Sequence, residues 1–525
     1  MISALGLVAL SAFLGGSLAL AARRRPILLE LTRTFAFAAA LGVVAFHLVP
    51  EIMPRLGPEA FVWIAGGFAL PWVLEAGARA LGPGFLSRRG MHGFRVAAEV
   101  AFIALVFHSV VEGLALLALV QSSSRAADVQ LAILAHHAPL TAAVALPFLE
   151  LQGARSAAAR VALVGLSGAA GIVLGQLVPG LATGADAAVV QRATALTAGA
   201  LLHVVSDEIR EQRFAASWQR ALDMLACALG FGLAGLGAFF DLPNAQGIVN
   251  VAHASVALGL AVAPALVAGL VVRWATMRFA PRAAEPSRAA AAGIFAVWAL
   301  LGFASAAIRL VLGALFWSVG SRLSPLRPLR PLPLADEYAA RAPPVLALFV
   351  LAAGADALAP PGFFASRAPV LVALALAAFS QASASGAALA AAALVHRGLP
   401  ANLAIPFLAL GSLPLGRAVF ARGAAIAAGG VAVALLAGAA LSRTDLGDRA
   451  QRAADASFAA SREAVSAQLS AAPIESACLA LVVALGLAMV YRKGVRGWFL
   501  PLRHPDLRIT VPSVAAAPAG SEATR

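Results

Sequence analysis

Residues 95–120 read RVAAEVAFIALVFHSVVEGLALLALV, an apolar run that holds His108 and Glu112 in its interior. A helix needs about 20 mostly apolar residues to cross a membrane, and this run exceeds that length. Of the 525 residues in the chain, 61% are hydrophobic and 12% are charged, and the mean hydropathy is +0.87. Soluble globular proteins carry about 45–50% apolar and about 25% charged residues. The composition therefore excludes a cytosolic enzyme, a nucleic-acid-binding domain and a disordered chain, and it predicts an all-α, polytopic integral membrane protein.

Further apolar runs of spanning length lie on both sides of this stretch and give about fifteen predicted transmembrane helices. They lie near 3–22, 32–50, 59–81, 95–120, 128–150, 157–180, 187–206, 219–240, 247–272, 289–318, 343–361, 368–396, 400–420, 423–441 and 475–491. The polar sequence Asp-Leu-Pro-Asn begins at Asp241 and interrupts the apolar pattern. We therefore expect two bundles, a domain over 1–245 and a permease-like domain over 246–502. Residues 503–525 are rich in Pro, Ser and Ala, which predicts a disordered tail.

Two segments of the second bundle differ from an ordinary span. Segment 400–420 contains three prolines, Pro400, Pro406 and Pro414. These predict a broken or re-entrant helix, which is tolerated where other helices or a wet cavity cover it. Residues 442–474 are polar and rich in alanine, which predicts a surface helix between the last two spans.

The arginines predict the orientation of the chain. The formal net charge is +14, and in the first half the arginines concentrate in alternate gaps between spans, as they do in cytoplasmic loops. These gaps contain Arg23–Arg25, Arg88–Arg95, Arg155–Arg160, Arg210–Arg220 and Arg273–Arg282. The pattern predicts a multi-pass protein of the cell membrane with its N-terminus outside and its C-terminus in the cytoplasm. The Arg-rich gap 320–342 does not follow this pattern.

Several ionisable side chains lie inside the predicted spans, where each costs about 2.5–3.5 kcal/mol on insertion scales and marks a functional site. One helix carries the adjacent pair His136 and His137. Three other helices carry a histidine followed four residues later by an acid, namely His47/Glu51, His108/Glu112 and His203/Asp207. Four residues turn an α-helix by about 400°, so the two members of each pair share a face. Imidazole and carboxylate groups bind zinc and similar divalent ions, and the pattern therefore predicts a metal site.

A second interpretation is that each pair is a hydrogen bond that holds helices together. This interpretation is strongest for His47 and Glu51, which lie at the end of their span, within reach of water. We interpret His92, His396 and His504, which lie in or beside loops, as residues without a role in the site. Three pairs and a His-His step in one half of the chain favour metal binding over packing.

In their order along the chain, these motifs resemble those of the ZIP family of zinc and iron transporters. That family has eight helices, with a His-Asn-x-Pro-Glu-Gly motif on the fourth, a similar motif on the fifth and an acid late in the seventh. Residues 108–113 read His-Ser-Val-Val-Glu-Gly, with Ser for Asn and Val for Pro, and residues 136–140 read His-His-Ala-Pro-Leu. Residues 198–208 are similar to the seventh-helix motif, and 47–51 to a motif of the second helix. The resemblance covers residues 1–240 and implies an eight-helix fold and transport of a divalent metal.

The sequence departs from the family at two positions. Leu140 stands where the fifth helix of the family carries a glutamate, and Gly168 where the sixth often supplies another. A two-metal site bridged by carboxylates is therefore not expected. The resemblance implies one site of His108, Glu112, His136 and His137, a second of His203, Asp207 and Glu208, and His47 with Glu51 as further candidates. Imidazole in excess of carboxylate favours Zn²⁺ over Mg²⁺ or Mn²⁺ as the transported or bound ion.

The second half gives fewer indications. Its most polar stretch inside a span is Ser380–Gly386, followed by the segment Gly398–Asn402. Small hydroxyl residues indicate close helix packing, and a broken helix that lines a substrate site is the alternative. The layout weakly resembles a two-repeat permease family that includes arsenical and metal exporters, although the cysteines that those proteins carry near this segment are missing. Arg309 lies in the middle of an apolar run, where it either faces a cavity or snorkels.

The sequence contains no Walker loop, GxSxG elbow or HExxH motif, so neither an enzyme nor an ATP-driven pump is expected. Cys227 and Cys478 stand alone in apolar runs and predict no disulfide and no thiolate metal site. The predicted function is secondary transport of a divalent cation, first of all zinc, through the His/carboxylate site. The alternatives are a degenerate ZIP-like sensor that gates transport of another substrate by the second half, and a membrane scaffold. The expected partners are a divalent metal ion and the lipid bilayer, with no nucleic acid, and a homodimer is left open.

Overall fold

The computed structural model describes residues 2–22, 26–57, 59–80, 98–110, 113, 126–177, 187–209, 212, 214, 216–240, 242–279, 285–323, 334–365, 369–412, 420–459 and 463–503. Within these ranges the regular secondary structure is helical, which confirms the predicted all-α class. The first half contains α1 (Ile2–Ala22), α2 (Pro26–Val43), α3 (Val49–Leu56), α4 (Glu59–Ala80), α5 (Ala98–Val110), α6 (Ala126–Leu151), α7 (Ala154–Leu177), α8 (Ala187–Asp207) and α9 (Ser217–Phe240). A π-helical turn, Val44–Leu48, joins α2 to α3.

The second half begins with the long helix α10 (Leu242–Phe279). It continues through α11 (Glu285–Leu301), α12 (Phe303–Leu323), α13 (Leu334–Leu358), α14 (Pro369–Ala382), α15 (Ala384–His396), α16 (Ala401–Leu410), α17 (Phe420–Leu441), α18 (Leu446–Ser457), α19 (Val465–Ala471) and α20 (Pro473–Lys493). Two short helices, α21 (Val495–Trp498) and α22 (Leu500–Arg503), follow.

The helices have the length and composition of a membrane protein. Five described segments are long and apolar enough to cross a membrane, and six are if α17 and α18, which meet at a bend of 93°, form one broken span. Shorter apolar helices, among them α5, α15 and α16, accompany them. The architecture is therefore that of an all-helical membrane protein, while the number of spans, about fifteen by apolar length, stays a prediction.

Two of the predicted spans are each divided into two helices. Segment 289–318 is divided at Gly302, whose φ of +85° separates α11 from α12. Glycine adopts this left-handed backbone without steric cost. Segment 368–396 is divided at Ser383, whose extended backbone separates the 14-residue α14 from the 13-residue α15. The N-terminus of α15 therefore lies halfway along a predicted span.

The polar region after α17 also differs from the single predicted surface helix, because α18 and α19 are two short helices. Within segment 400–420, the described part contains the ten-residue α16, which is too short to span a membrane alone. Residues 413–419 lie outside the described part of the chain.

The first bundle packs through close helix pairs. Helix α1 lies against α6 and α7, α2 against α9, and α4 against α8. A Cβ atom added at Gly67 would overlap the carbonyl oxygen of Leu196, and one added at Gly199 would overlap that of Ile64. Small residues allow membrane helices to come into backbone contact in this way. The contact fixes the part of α8 that carries His203 against α4.

The core of the second bundle is built around α15. Residues 387–393, nearly all alanine, are 2% exposed or less. Helices α11, α13, α14 and α16 pack around them. Because alanine keeps the backbones close, the middle of α15 is enclosed by protein, while Ser383 and Ala384 at its start are half-buried.

Candidate metal site in the first bundle

His137 lies on α6 where α1, α5 and α6 meet, and it is 1% exposed. Its Nε2 is 3.0 Å from Oγ of Ser109, and its Nδ1 is 2.8 Å from Oγ of Ser11. Ser109 donates its hydroxyl proton to the carbonyl of Leu105 at 2.9 Å, so its oxygen accepts a hydrogen bond from Nε2–H. In the neutral imidazole, Nδ1 then accepts a hydrogen bond from the Ser11 hydroxyl.

His108 directly precedes Ser109 on α5, is 4% exposed, and has both ring nitrogens buried. Since Ser109 contacts His137, the segments of α5 and α6 that carry His108 and His136 are adjacent. Glu112 and the side chain of His136 lie outside the described residues. The structure therefore brings together the helix segments that carry the predicted site.

His203 lies on α8 against α4 and is 3% exposed. Its Nδ1 is 2.8 Å from the carbonyl oxygen of Phe68. A carbonyl only accepts hydrogen bonds, so Nδ1 carries the proton and Nε2 is the nitrogen with the lone pair in the neutral ring. Metal-binding histidines are usually oriented by such a bond from the second ring nitrogen. The rings of Phe68 and Trp72 flank the imidazole at centroid distances of 5.4 and 5.0 Å.

His108 and His203 lie at two levels of the bundle. Thr197 of α8 donates to the carbonyl of Ala104 of α5 at 3.4 Å, while Ala200 packs with Val100. Rising residue numbers on α8 thus meet falling numbers on α5, so the two helices are antiparallel. With a rise of 1.5 Å per residue, the two histidines are about 15 Å apart along the helix axis, too far to bind one ion together.

Glu208 lies at the end of this row, five residues beyond His203. Its Oε2 is 3.0 Å from Nη1 of Arg496, which is fully buried. Arg496 also pairs with Glu30 and donates from Nε to Thr34 at 3.2 Å. We call Glu30, Thr34, Glu208 and Arg496 the Arg496 cluster. The structure thus places Glu208 in an ion pair, apart from His108 and His137.

The pair His47 and Glu51 spans a change of helix type. His47 is half-buried in the π-helical turn, and Glu51 is exposed on α3. A single π turn inside a helix is frequent at functional sites. Because a π turn is wider than an α turn, the angle between the His47 and Glu51 side chains around the helix axis differs from that of a pair four residues apart in a regular α-helix. Asp207, in the other repeated pair, ends α8, and its side chain lies outside the described part.

In the described ranges, no three His, Cys, Asp or Glu side chains are grouped so that they could hold a metal ion. Leu140, which replaces the family glutamate, is fully buried in the apolar core. A Cβ atom at Gly113, the last residue of the fourth-helix motif, would overlap the carbonyl of Gly168. The motif glycine therefore allows α7 to lie against the chain just beyond α5.

Sequence reasoning missed the groups that hold the histidines. Ser11 is 126 residues from His137, and the partner of His203 is a backbone carbonyl, which every residue has. Of these hydrogen-bond partners, only Ser109 could have been identified from the sequence, because it replaces Asn in the fourth-helix motif at residues 108–113. Arg496 gave no signal, since it follows the last predicted span.

The fold is that of a helical membrane protein, and its first bundle buries the imidazoles of His108, His137 and His203. Residues 87–238, which include α5 to α9, match the model of the family described as ZIP Zinc transporter. This part of the chain is similar to a ZIP zinc transporter domain, and the resemblance seen in the sequence is confirmed for these residues. No curated protein and no solved structure matches the chain. The match supports transport of a divalent metal ion across a membrane, which is the work of a transporter and not of an enzyme.

Proposed function

We propose that the first bundle is a secondary transporter that carries Zn²⁺ across the cell membrane. The transport site consists of His108, Glu112, His136 and His137. A second site at the level of His203 includes Asp207, and Glu208 lies beyond it. His47 and Glu51 contribute to the path that leads to these sites. The observation that carries the proposal is the stacking of His108 and His203 at two levels of a domain that matches a zinc transporter family.

The tautomer of His203 supports a ligand role at the second level. The bond to the Phe68 carbonyl fixes the ring and leaves Nε2 as the basic nitrogen. Aromatic rings on two sides exclude water from the imidazole. A cation that leaves the transport site at His108 would meet a correctly oriented ligand at His203.

The hydrogen bonds of His137 are compatible with reversible binding. A neutral imidazole is the form that binds metal, and Nδ1 of His137 already faces a single hydroxyl, that of Ser11. Exchange of one neutral hydrogen bond for a metal bond costs about 0.5–1.5 kcal/mol. Ser11 can therefore hold the ring between transport cycles without blocking it.

The choice of zinc depends on the ligand types. Imidazole binds zinc and neighbouring transition metals, whereas Mg²⁺ and Mn²⁺ prefer carboxylate, carbonyl and water. In this chain Leu140 takes the place of one family carboxylate. This exchange lowers the affinity for hard ions more than that for Zn²⁺.

The Arg496 cluster supports the proposed orientation. It joins the start of α2 and the end of α8 to the chain after α20, and Glu150 at the end of α6 pairs with Arg33 nearby. These helix ends therefore lie on one side of the membrane. With the N-terminus outside, that side is the cytoplasm, where the C-terminus also lies.

Zinc flux into proteoliposomes tests the proposal. We expect the wild-type chain to transport Zn²⁺, and the variant His108→Ala with Glu112→Ala to lose at least nine-tenths of this flux. His253→Ala, a histidine of α10 outside both sites, is the matched control and keeps the wild-type rate. Flux that persists in the folded double variant would overturn the site, and zinc binding without wild-type flux would favour the sensor alternative.

A further inference from the structure

Arg309 is a buried arginine that the proposed zinc pathway does not use. It lies on α12 in the second bundle and is 3% exposed. In the described part of the chain, its Nε and Nη1 atoms are buried without a hydrogen-bond partner. The buried acid Asp356 is paired instead with Arg397 at 2.8 Å. An uncompensated charge in a protein core is strongly unfavourable, so this one requires a physical reason.

A glycine places the Arg309 side chain against α15. A Cβ atom added at Gly293 of α11 would stand 2.6 Å from Nη1 and 2.9 Å from Nη2 of Arg309, and 2.8 Å from Cβ of Ala384. The guanidinium group therefore lies on the bare backbone of Gly293, beside the first residue of α15. Any larger residue at position 293 would displace it.

The N-terminus of α15 adds a second positive group at the same place. The first N–H groups of a helix have no intrahelical acceptor and carry a partial positive charge. Ser383 accepts the N–H of Gly386 at 3.1 Å, which leaves those of Ala384 and Ser385 for another acceptor. Two positive groups thus meet in a protein-enclosed space, where a negative charge between them would stabilise both.

We propose that the second bundle binds a small anion between the guanidinium of Arg309 and the N-terminus of α15. The ligand is a carboxylate or a phosphate-type oxyanion, because the planar fork of arginine and a row of backbone N–H groups both match such oxygens. Discontinuous membrane helices place their N-termini at anionic substrate groups in this way. Since the Arg309 side chain is 3% exposed, the ligand is a free solute that enters the bundle and not a lipid headgroup at its surface.

Thermal unfolding of the purified full-length protein tests this inference. The midpoint is followed in neutral detergent against increasing acetate or inorganic phosphate, with chloride at equal ionic strength as the reference. A bound anion raises the midpoint with its concentration. We expect at least one of the two oxyanions to do so, and Arg309→Gln to weaken its apparent affinity tenfold or more. Without any anion, Arg309→Gln should melt above wild type, because it removes an uncompensated charge, whereas a purely structural arginine would lower the midpoint.

Two further variants keep the test decisive if Arg309→Gln does not fold. Gly293→Ala retains the charge but pushes the guanidinium away from α15, and it should also weaken anion binding tenfold. Gly354→Ala, at a position with open space around it, is the matched control and should bind as wild type. Stabilisation no greater than that by chloride, or equal stabilisation of wild type and Gly293→Ala, would overturn the proposal. Arg309-dependent stabilisation by phosphatidylglycerol but not by phosphate would replace the free solute with a lipid and would equally overturn it.

Discussion

One buried arginine packs against the first bundle and another lies within the second, and the two are held in opposite ways. Arg496 is fully buried, and its guanidinium group meets Glu208, Glu30 and Thr34. Arg309 is 3% exposed, and two of its nitrogens have no partner in the described part of the chain. The difference separates a charge that the fold itself compensates from one that it leaves to a ligand.

The location of each arginine agrees with this distinction. Arg496 follows α20, at the end of the second half, yet its partners belong to α2 and to the end of α8 in the first bundle. Nearby, Asp223 of α9 accepts the N–H of Val495 at 2.7 Å. The cluster therefore fastens the C-terminal segment to the first bundle. Among the described residues, Nε and Nη1 of Arg309 have no partner, and the side chain faces a helix break, which is a poor position for a structural role and a good one for binding.

The largest effect is expected at Arg496. The variant Arg496→Gln removes the counter-ion of the buried Glu208 carboxylate and one of the two ion pairs of the partly exposed Glu30. It should lower the free energy of unfolding by about 3–5 kcal/mol. Denaturant unfolding of the purified protein measures the change. Arg443→Gln, an exposed arginine, is the control and should stay within about 0.5 kcal/mol of wild type. If Arg496→Gln lowers the free energy of unfolding by less than about 1 kcal/mol, Arg496 is not a charge that the fold depends on, and the contrast with Arg309 fails.

A double-mutant cycle with Glu208 measures the pair itself. Glu208→Gln alone should destabilise the protein, because it leaves Arg496 without this partner. In the Arg496→Gln background the same substitution should cost less, because the arginine charge is already absent. The coupling energy is expected at about 0.5–3 kcal/mol. Zinc flux of the same variants shows whether Glu208 is a metal ligand or a structural acid. If Glu208→Gln loses flux and the double variant regains stability but not flux, Glu208 is a ligand. If flux rises and falls with stability in all three variants, Glu208 is a structural acid.

A partnered arginine of the second bundle provides an internal comparison for Arg309. Asp356 is 2% exposed and pairs with Arg397 at 2.8 Å and with His396 at 3.3 Å. Asp356→Asn keeps the shape and removes the charge, and it should cost about 1–3 kcal/mol of unfolding free energy. If Asp356→Asn instead stabilised the protein, as is expected for Arg309→Gln, then Arg397 and Arg309 would not differ in how the fold compensates their charge.

The membrane helices could be predicted because hydropathy is a local property. The first and last predicted spans, 3–22 and 475–491, agree closely with α1 (Ile2–Ala22) and α20 (Pro473–Lys493). The division at Gly302 was not predicted, and a broken helix near Ser380–Gly386 was only the alternative to close packing, since small residues are equally common inside continuous membrane helices. Such a break depends on what packs around it, and hydropathy does not contain that information.

The candidate site shows the same limit. The high cost of burying an ionisable group pointed to His108, His137 and His203, and all three are buried. Their hydrogen-bond partners come from other helices, such as Ser11, or from the backbone, such as the carbonyl of Phe68. Only the fold brings these groups together. In contrast, Arg309 already stands out in the sequence, and its 3% exposure in the structure argues against the snorkelling alternative.

The smallest effect is expected at the cap of α15, and it tests whether the helix end or Arg309 alone attracts the anion. Ser383→Ala removes the acceptor of the Gly386 N–H and should cost about 1 kcal/mol of stability. Loss of the cap also lets the first turn fray, so its N–H groups no longer point together at the anion, and the affinity for acetate or phosphate should fall severalfold while Arg309 is unchanged. Ser383→Thr retains a capping hydroxyl and should restore both quantities. If Ser383→Ala lowers stability but leaves anion affinity at the wild-type value, the helix end contributes nothing to binding. The comparison with Arg496 would then depend on the guanidinium group alone.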